Sequence, residues 1–310
     1  MNDGRIDGTI NGAAGVFGVM GDPVSRSFSP QIHNTIYGMF GINAVYVPFP
    51  VKGESLGKAV AGAHALGVRG INVTHPHKRE VMEYLRGVDG KAERIGAVNT
   101  LVYAEEGYIG YNTDAIGVAD CCAARGFDAG GRKVTIIGAG GSAAAAAFAL
   151  AEGGAGEIRV LNRTLSSAED LAERLQNHFG TKAMAYPLDE KGILAAMDGA
   201  DAVFQTTAAG FGGGESPVKA AGGGIFKGIE FVMETIYSPW ETEFLRDARI
   251  HCRNCMNGFD MLVYQAAAAH DLFMGTNRFA DIGEKIKLRD TLEGYYINNI
   301  IKQGEALCTR

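Results

Sequence analysis

The chain has 310 residues, of which 44 are glycine, about twice the usual share, while 46% hydrophobic and 21% charged residues are ordinary for a globular protein. The absence of a G-x-y period excludes collagen, ample apolar content excludes disorder, and a formal charge of −6 without a basic run excludes a nucleic-acid footprint. The length allows a large core and two domains.

In chain order, GVFGVM (15–20) predicts a strand, followed by the turn-rich loop GDPVSRSFSP and a helix from Pro30 to Phe40, with apolar residues at Ile32, Ile36 and Met39 or Phe40. AVYVPFP is a second strand, residues 54–66 a helix and VRGINVT a third strand, an order that favours a parallel, three-layered α/β unit. Arg79–Leu85 reads as helix, AVNTLVYAEEGYIGYNTD as a hairpin turning at Glu105–Gly107, and Ala115–Arg125 as helix. A second α/β series follows: KVTIIG, a small-residue helix Ser142–Ala151, EIRVLN, a helix Ser167–Phe179, a strand near AMAYP, and DAVFQTT. From Met261 onward the chain reads mostly as helix, which fits its scarcity of glycine.

Five cysteines form no regular framework, so no disulfides are expected; the CxxC of Cys252 and Cys255 could be redox-active or half a zinc site, but it lacks a second pair for a metal and reads as small buried or half-exposed thiols. The N-terminal stretch carries charges where a signal peptide is apolar, and no segment reaches about 18 apolar residues, so a cytoplasmic protein without membrane or nucleic-acid partners is expected. The glycine clusters 212–214 and 222–224 have no evident binding role and predict a mobile loop.

The strand KVTIIG runs straight into GAGGSAAAAAFAL. Gly138 suits the tight turn, Gly140 lets backbone approach a pyrophosphate, and Gly141 with the small residues at the helix start, Ala139 and Ser142 beside it, admits phosphate to the positive end of the helix. The next strand ends about 24 residues past Gly138 in Asn162, Arg163 and Thr164, where an NAD site usually carries Asp or Glu. Arg163 can stack on adenine and pair with a phosphate, and its neighbours can donate to it, which favours NADP over NAD.

Three polar clusters are unexplained by folding. Ser25, Ser27 and Ser29 alternate in the first loop, Lys78 follows a strand that breaks at Pro76, and Asn99, Asn112, Thr113 and Asp114 lie on or just after the arms of the hairpin. Through GDPVSRSFSPQIHN, GINVTHPHK, GAVNTL, GYNTD, GAGGSA, VLNRT and NGFDMLVYQAA, in order from about residue 17 to residue 270, the chain resembles the shikimate dehydrogenase family. The resemblance implies an N-terminal α/β substrate domain (1–114, completed by C-terminal helices 258–310) and a Rossmann dinucleotide domain (115–257), with the active site in the cleft between them. It implies NADP-dependent reduction of 3-dehydroshikimate to shikimate in aromatic amino-acid biosynthesis, as a monomer or homodimer. Lys78 and Asp114 match the catalytic pair, an ammonium that stabilises or protonates the alkoxide and a carboxylate that fixes it. Ser27 and Ser29 match carboxylate-binding serines; Thr74, Asn99 and Gln265 match positions that hold or orient substrate hydroxyls, and Tyr237 a tyrosine near the carboxylate. Thr206, Gly258 and Met261 fall on the cofactor side, and no metal is implied.

Four departures from the family pattern cluster at these motifs: His75 and His77 flank Pro76, Ser166 and Ser167 follow the NRT turn, Gln205-Thr206-Thr207 replaces Asn-Ala-Thr, and Phe259-Asp260 replaces smaller or aliphatic residues. They keep open a quinate/shikimate or aminoshikimate dehydrogenase that also uses NAD; a separate alternative, from another class, is a non-catalytic dinucleotide sensor.

Overall fold

A computed structural model describes residues 10–25 and 27–298; Cys308 lies outside them. The described chain falls into two compact units, the residues up to Thr113 with Ala266–Ala280, and Asp114–Gln265 with the residues from Asp281 onward.

The first unit contains β1 (Gly15–Gly21), α1 (Ser29–Met39), β2 (Ala44–Pro50), α2 (Leu56–Ala65), β3 (Gly70–Val73), β4 (Gly87–Val88), α3 (Gly90–Ile95), β5 (Thr100–Ala104) and β6 (Gly107–Tyr111). Its sheet runs β2-β1-β3-β5-β6-β4. The strand–helix–strand series pairs parallel, as the sequence order predicts, but the hairpin β5–β6 joins antiparallel, so the sheet is mixed. Val51, Leu56, Val60, Ile71, Val73, Val81 and Leu101 fill the core on one side, and Phe17, Val19, Tyr37 and Tyr46 pack a second cluster with Phe273. Arg79–Leu85, expected as helix, is a five-residue 3-10 turn, Glu80–Tyr84, and the short α3 that follows was not foreseen. Asp89 starts α3 by accepting from Lys91 N, and Gly96 in the left-handed region ends it.

The second unit contains α4 (Asp114–Ala124), β7 (Lys133–Ile137), α5 (Gly141–Glu152), β8 (Glu157–Asn162), α6 (Leu165–Phe179), β9 (Lys182–Pro187), α7 (Glu190–Met197), β10 (Ala202–Gln205), β11 (Phe231–Glu234), α8 (Glu243–Arg249) and β12 (Cys255–Met256). Its sheet is parallel throughout, in the order β9-β8-β7-β10-β11-β12, the strand order of a dinucleotide-binding fold. The sequence reading passed over α7, β11, α8 and β12, although Asp189 and Thr242 cap the two helices in the expected way. Helix α5 is buried from Ala143 to Ala151, which explains its alanine run: small side chains on every face let it lie between the sheet and its neighbours. Cys252 and Cys255 are free thiols within the core of this unit, and burial pushes the Cys255 thiol up to about 12.

Helix α9 (Gly258–Met274) passes from the second unit into the first after Gln265. Helix α10 (Ile282–Tyr296) groups with the second unit, unlike the expected return of 258–310 as a whole, because Lys285 pairs with Asp120 of α4 and Arg289 with Asp260 of α9 at 2.6 Å. The glycine clusters lie in and beside short 3-10 turns; Gly212, Gly213 and Gly222 adopt positive φ, as do only glycines among the described residues.

Candidate active site

In the first unit, the C-terminal ends of β1, β2 and β3 lie side by side and each feeds a loop. Beyond β1, the Ser27 hydroxyl donates to the Ser29 hydroxyl at 3.2 Å and accepts from Ser29 N at 3.3 Å, so two alternate serines converge at the start of α1. Ser25 is exposed and outside this pair. Gly21 is required at the end of β1: a Cβ there would stand 2.3 Å from the Thr74 methyl and 3.0 Å from His75 O, so its absence lets the β3 loop close against β1. Thr74 is thereby placed beside the root of the serine loop, its N–H donating to Met20 O at 2.9 Å.

Lys78, half-buried, lies in the turn that follows β3, and its carbonyl accepts from Val98 N at 2.8 Å. The neighbouring Asn99, 3% exposed, is the hub of a buried network. Its Oδ1 accepts from Thr113 N at 2.7 Å and its Nδ2 donates to Thr113 Oγ1 at 3.0 Å, while Asn72 Nδ2 donates to its carbonyl at 3.2 Å. Tyr46 OH in turn donates to Asn72 Oδ1 at 2.8 Å. Asn112 holds the same bend through Ala97 O at 2.9 Å. The turn bearing Lys78 and the strand end leading to Asp114 are therefore anchored on adjacent residues, Val98 and Asn99. Asp114 follows Thr113 directly and opens α4, 5% exposed.

In the second unit, the glycine turn lies where strand order reverses, between β7 and β10, the position at which folds of this type open a crevice for a ligand. Gly138 has φ 115, and a Cβ would meet Thr206 Oγ1 at 2.7 Å; the Thr206 hydroxyl instead donates to Ile137 O at 2.7 Å. Gly140 precedes α5 with open space where a Cβ would stand, and no side chain caps the helix. The first-turn N–H groups of α5, with Gly141 and Ser142 half-buried and Ala139 buried, present a neutral, small-residue cradle suited to a pyrophosphate. At the end of β8, Asn162 Nδ2 donates to Thr164 O at 2.9 Å, and Arg163 is exposed, as is Ser166. This turn holds no carboxylate, so it suits a phosphate better than a bare ribose.

The remaining expected residues scatter around β11 and α9. Gly258 must be glycine, because a Cβ would lie 2.1 Å from Thr235 O; its N–H donates to Ile236 O at 2.8 Å, next to Tyr237. Met261 is buried, and Gln265, 7% exposed, donates to Leu262 O at 2.8 Å. Two of the sequence departures are structural. Asp260 pairs with Arg289 and, at 3.6 Å, with Arg125, and Phe259 packs against Trp240 and Tyr296. Gln205 builds the loop after β10, donating to Thr207 O and Ala209 O and accepting from Thr207 N. The sequence reading missed Glu234, wholly buried at the end of β11, where its carboxylate accepts from the Thr242 hydroxyl at 2.8 Å and burial pushes it up to about 7.

Two family models match: the shikimate dehydrogenase substrate binding domain over residues 19–101, and shikimate/quinate 5-dehydrogenase over residues 122–210. A curated shikimate dehydrogenase (NADP(+)) of Moorella thermoacetica is 40% identical over 268 residues, covering 86% of this chain and 90% of its own. The chain belongs to the shikimate dehydrogenase family. A relative of the same description from Methanothermobacter thermautotrophicus is 39% identical over 279 residues, covering 89% of this chain and 96% of its own. Among solved structures, the shikimate 5-dehydrogenase of Thermus thermophilus in complex with NADP(H) and shikimate aligns with TM-score 0.76 at 31% identity, over 89% of this chain and 99% of that one. The shikimate 5-dehydrogenase of Listeria monocytogenes, in complex with shikimate and NAD, gives TM-score 0.78 at 29% identity, over 86% and 94%.

Proposed function

We propose that this protein catalyses the reversible, NADP-dependent reduction of 3-dehydroshikimate to shikimate, in the cytoplasm, as a step of aromatic amino-acid biosynthesis. The observation that carries the reading is the anchoring of the Lys78 turn and the Asp114 strand end on Val98 and Asn99, in a chain whose curated relatives are named shikimate dehydrogenase (NADP(+)). Bound at the glycine turn, NADPH supplies the hydride for the ring carbonyl. Gly138, Ala139, Gly140, Gly141 and Ser142 would hold its pyrophosphate, Asn162, Arg163 and Thr164 its 2′-phosphate, and Thr206, Gly258 and Met261 would flank the nicotinamide end. Ser27 and Ser29 donate to the substrate carboxylate, with Tyr237 nearby, while Thr74, Asn99 and Gln265 orient ring hydroxyls. Lys78 donates to the carbonyl oxygen as negative charge develops and passes it a proton; the Asp114 carboxylate holds the ammonium in place.

A second reading is use of NAD and of quinate: NAD is favoured by the NAD held in the Listeria monocytogenes structure and by the serines rather than further basic groups after Arg163, and quinate by the shikimate/quinate description of the matching family model. Both are tested by following absorbance at 340 nm across shikimate, quinate and aminoshikimate with NADP and NAD. The first reading expects the highest kcat/KM with shikimate and NADP and a loss of roughly a thousandfold or more in Lys78→Ala. Binding of NADP without oxidation of any of these substrates would mark a non-catalytic sensor instead.

A further inference from the structure

We propose that His77 is a positioning residue for Lys78: its imidazole ties the lysine's turn to the end of β2. The inference rests on the role given to Lys78 above. His77 is wholly buried, and its Nε2 lies 2.6 Å from the carbonyl oxygen of Val51. A carbonyl only accepts, so Nε2 carries the proton. Val51 N in turn donates to Gly21 O at 3.0 Å, and Asp22 N donates to His75 O at 3.1 Å. These bonds close a loop across the ends of β2, β1 and β3, from which both the serine segment and the lysine turn emerge. Lys78 is thus bracketed: His77 is clasped to Val51 on one side, and Val98 N holds the lysine's own carbonyl on the other.

The competing account is simple packing, since a buried aromatic ring fills space whatever its nitrogens do. Nδ1 speaks to this, because it is buried without a hydrogen-bond partner among the described residues, so the described polar link of the imidazole is the bond to Val51. Phenylalanine keeps the ring, removes that bond and leaves the Val51 carbonyl without its donor. Glutamine loses the ring but carries its amide nitrogen to roughly the reach of Nε2.

Wild-type kinetics on the substrate and cofactor matrix come first and test the function alone; the variants are then assayed on whichever substrate the wild type turns over. His77→Phe is expected to lower kcat roughly ten- to a hundredfold, with KM for the nucleotide unchanged, since a small misplacement of an acid group costs turnover rather than cofactor binding. His77→Gln is expected to recover most of that loss per folded enzyme, with fold checked by circular dichroism; His77→Met replaces the Phe variant if the latter does not fold. Equal kcat in wild type and the apolar variant overturns the inference while leaving the function standing. So does an equal fall in the apolar and Gln variants that only tracks loss of folded protein. Full turnover in Lys78→Ala removes the role of the lysine and the inference with it.

Discussion

Replacing His270 with phenylalanine should flatten the acid side of this protein's stability profile. His33 of α1 and His270 of α9 are both wholly buried in the first unit, and none of their four ring nitrogens has a hydrogen-bond partner among the described residues. His33 stacks on Tyr46 with centroids 4.2 Å apart, and His270 contacts Tyr37 at 5.9 Å and Phe279 at 5.7 Å. Burial, reinforced by His270 and opposed by Asn72, lowers His33 to about 3; burial lowers His270 to about 4, with Asp271 opposing and Arg278 adding to the effect. Both values fall below the ordinary 6.5, so the unfolded chain binds more protons between pH 6.5 and 4. Stability is therefore complete above that range and is lost as pH falls through it. About pH 5 lies roughly 1.5 units below the unfolded value of each ring, which at about 1.4 kcal/mol per unit is about 2 kcal/mol per ring and about 4 for the pair. His270→Phe leaves only the His33 share, about 2 kcal/mol. It also puts carbon where two buried nitrogens lacked partners, so the variant should be at least as stable as wild type at about pH 8. Urea unfolding by circular dichroism at about pH 5 and about pH 8 measures both differences. The same drop in both proteins would refute the reasoning. Comparing variants matters here, because Glu234 in the second unit titrates in the opposite sense.

Glu234 is raised above the ordinary carboxylate value to about 7 by burial, so the stability it contributes is present below pH 4.5 and lost as pH rises through 7. Glu234→Gln keeps an acceptor for the Thr242 hydroxyl without a buried charge, and should gain roughly 1–3 kcal/mol at about pH 8; a less stable variant at that pH would refute this. Gly138→Ala sets a Cβ at φ 115 and 2.7 Å from Thr206 Oγ1. It should weaken NADP binding roughly tenfold or more through about 1–3 kcal/mol of strain in the turn, which nucleotide fluorescence titration checks; unchanged affinity would contradict the placement.

Most of the strands and the longer helices were legible because periodicity is local: AVYVPFP and EIRVLN are strands with the bounds the sequence suggested, and the alanine run is the helix expected of it. The glycine turn was legible for the same reason, since its strand, turn and helix are contiguous. Short elements were not. The 3-10 turn Glu80–Tyr84 and the two-residue strands β4 and β12 owe their form to the sheet edges and loops they meet rather than to their own pattern. Of the site, the sequence named residue types and family positions, but Asn99 reads there only as one polar residue among several. Its role as a hub comes from β5 lying between β3 and β6, which brings Asn72 and Thr113 onto it from 27 and 14 residues away. The same holds for Glu234 and Thr242, His77 and Val51, and the paired histidines of the first core. The sequence by itself determined most of the longer strands and helices and which groups can do chemistry. Tertiary structure decided which of those groups are buried and what they touch, because hydrogen bonding and desolvation depend on neighbours in space and carry no signature in local spacing.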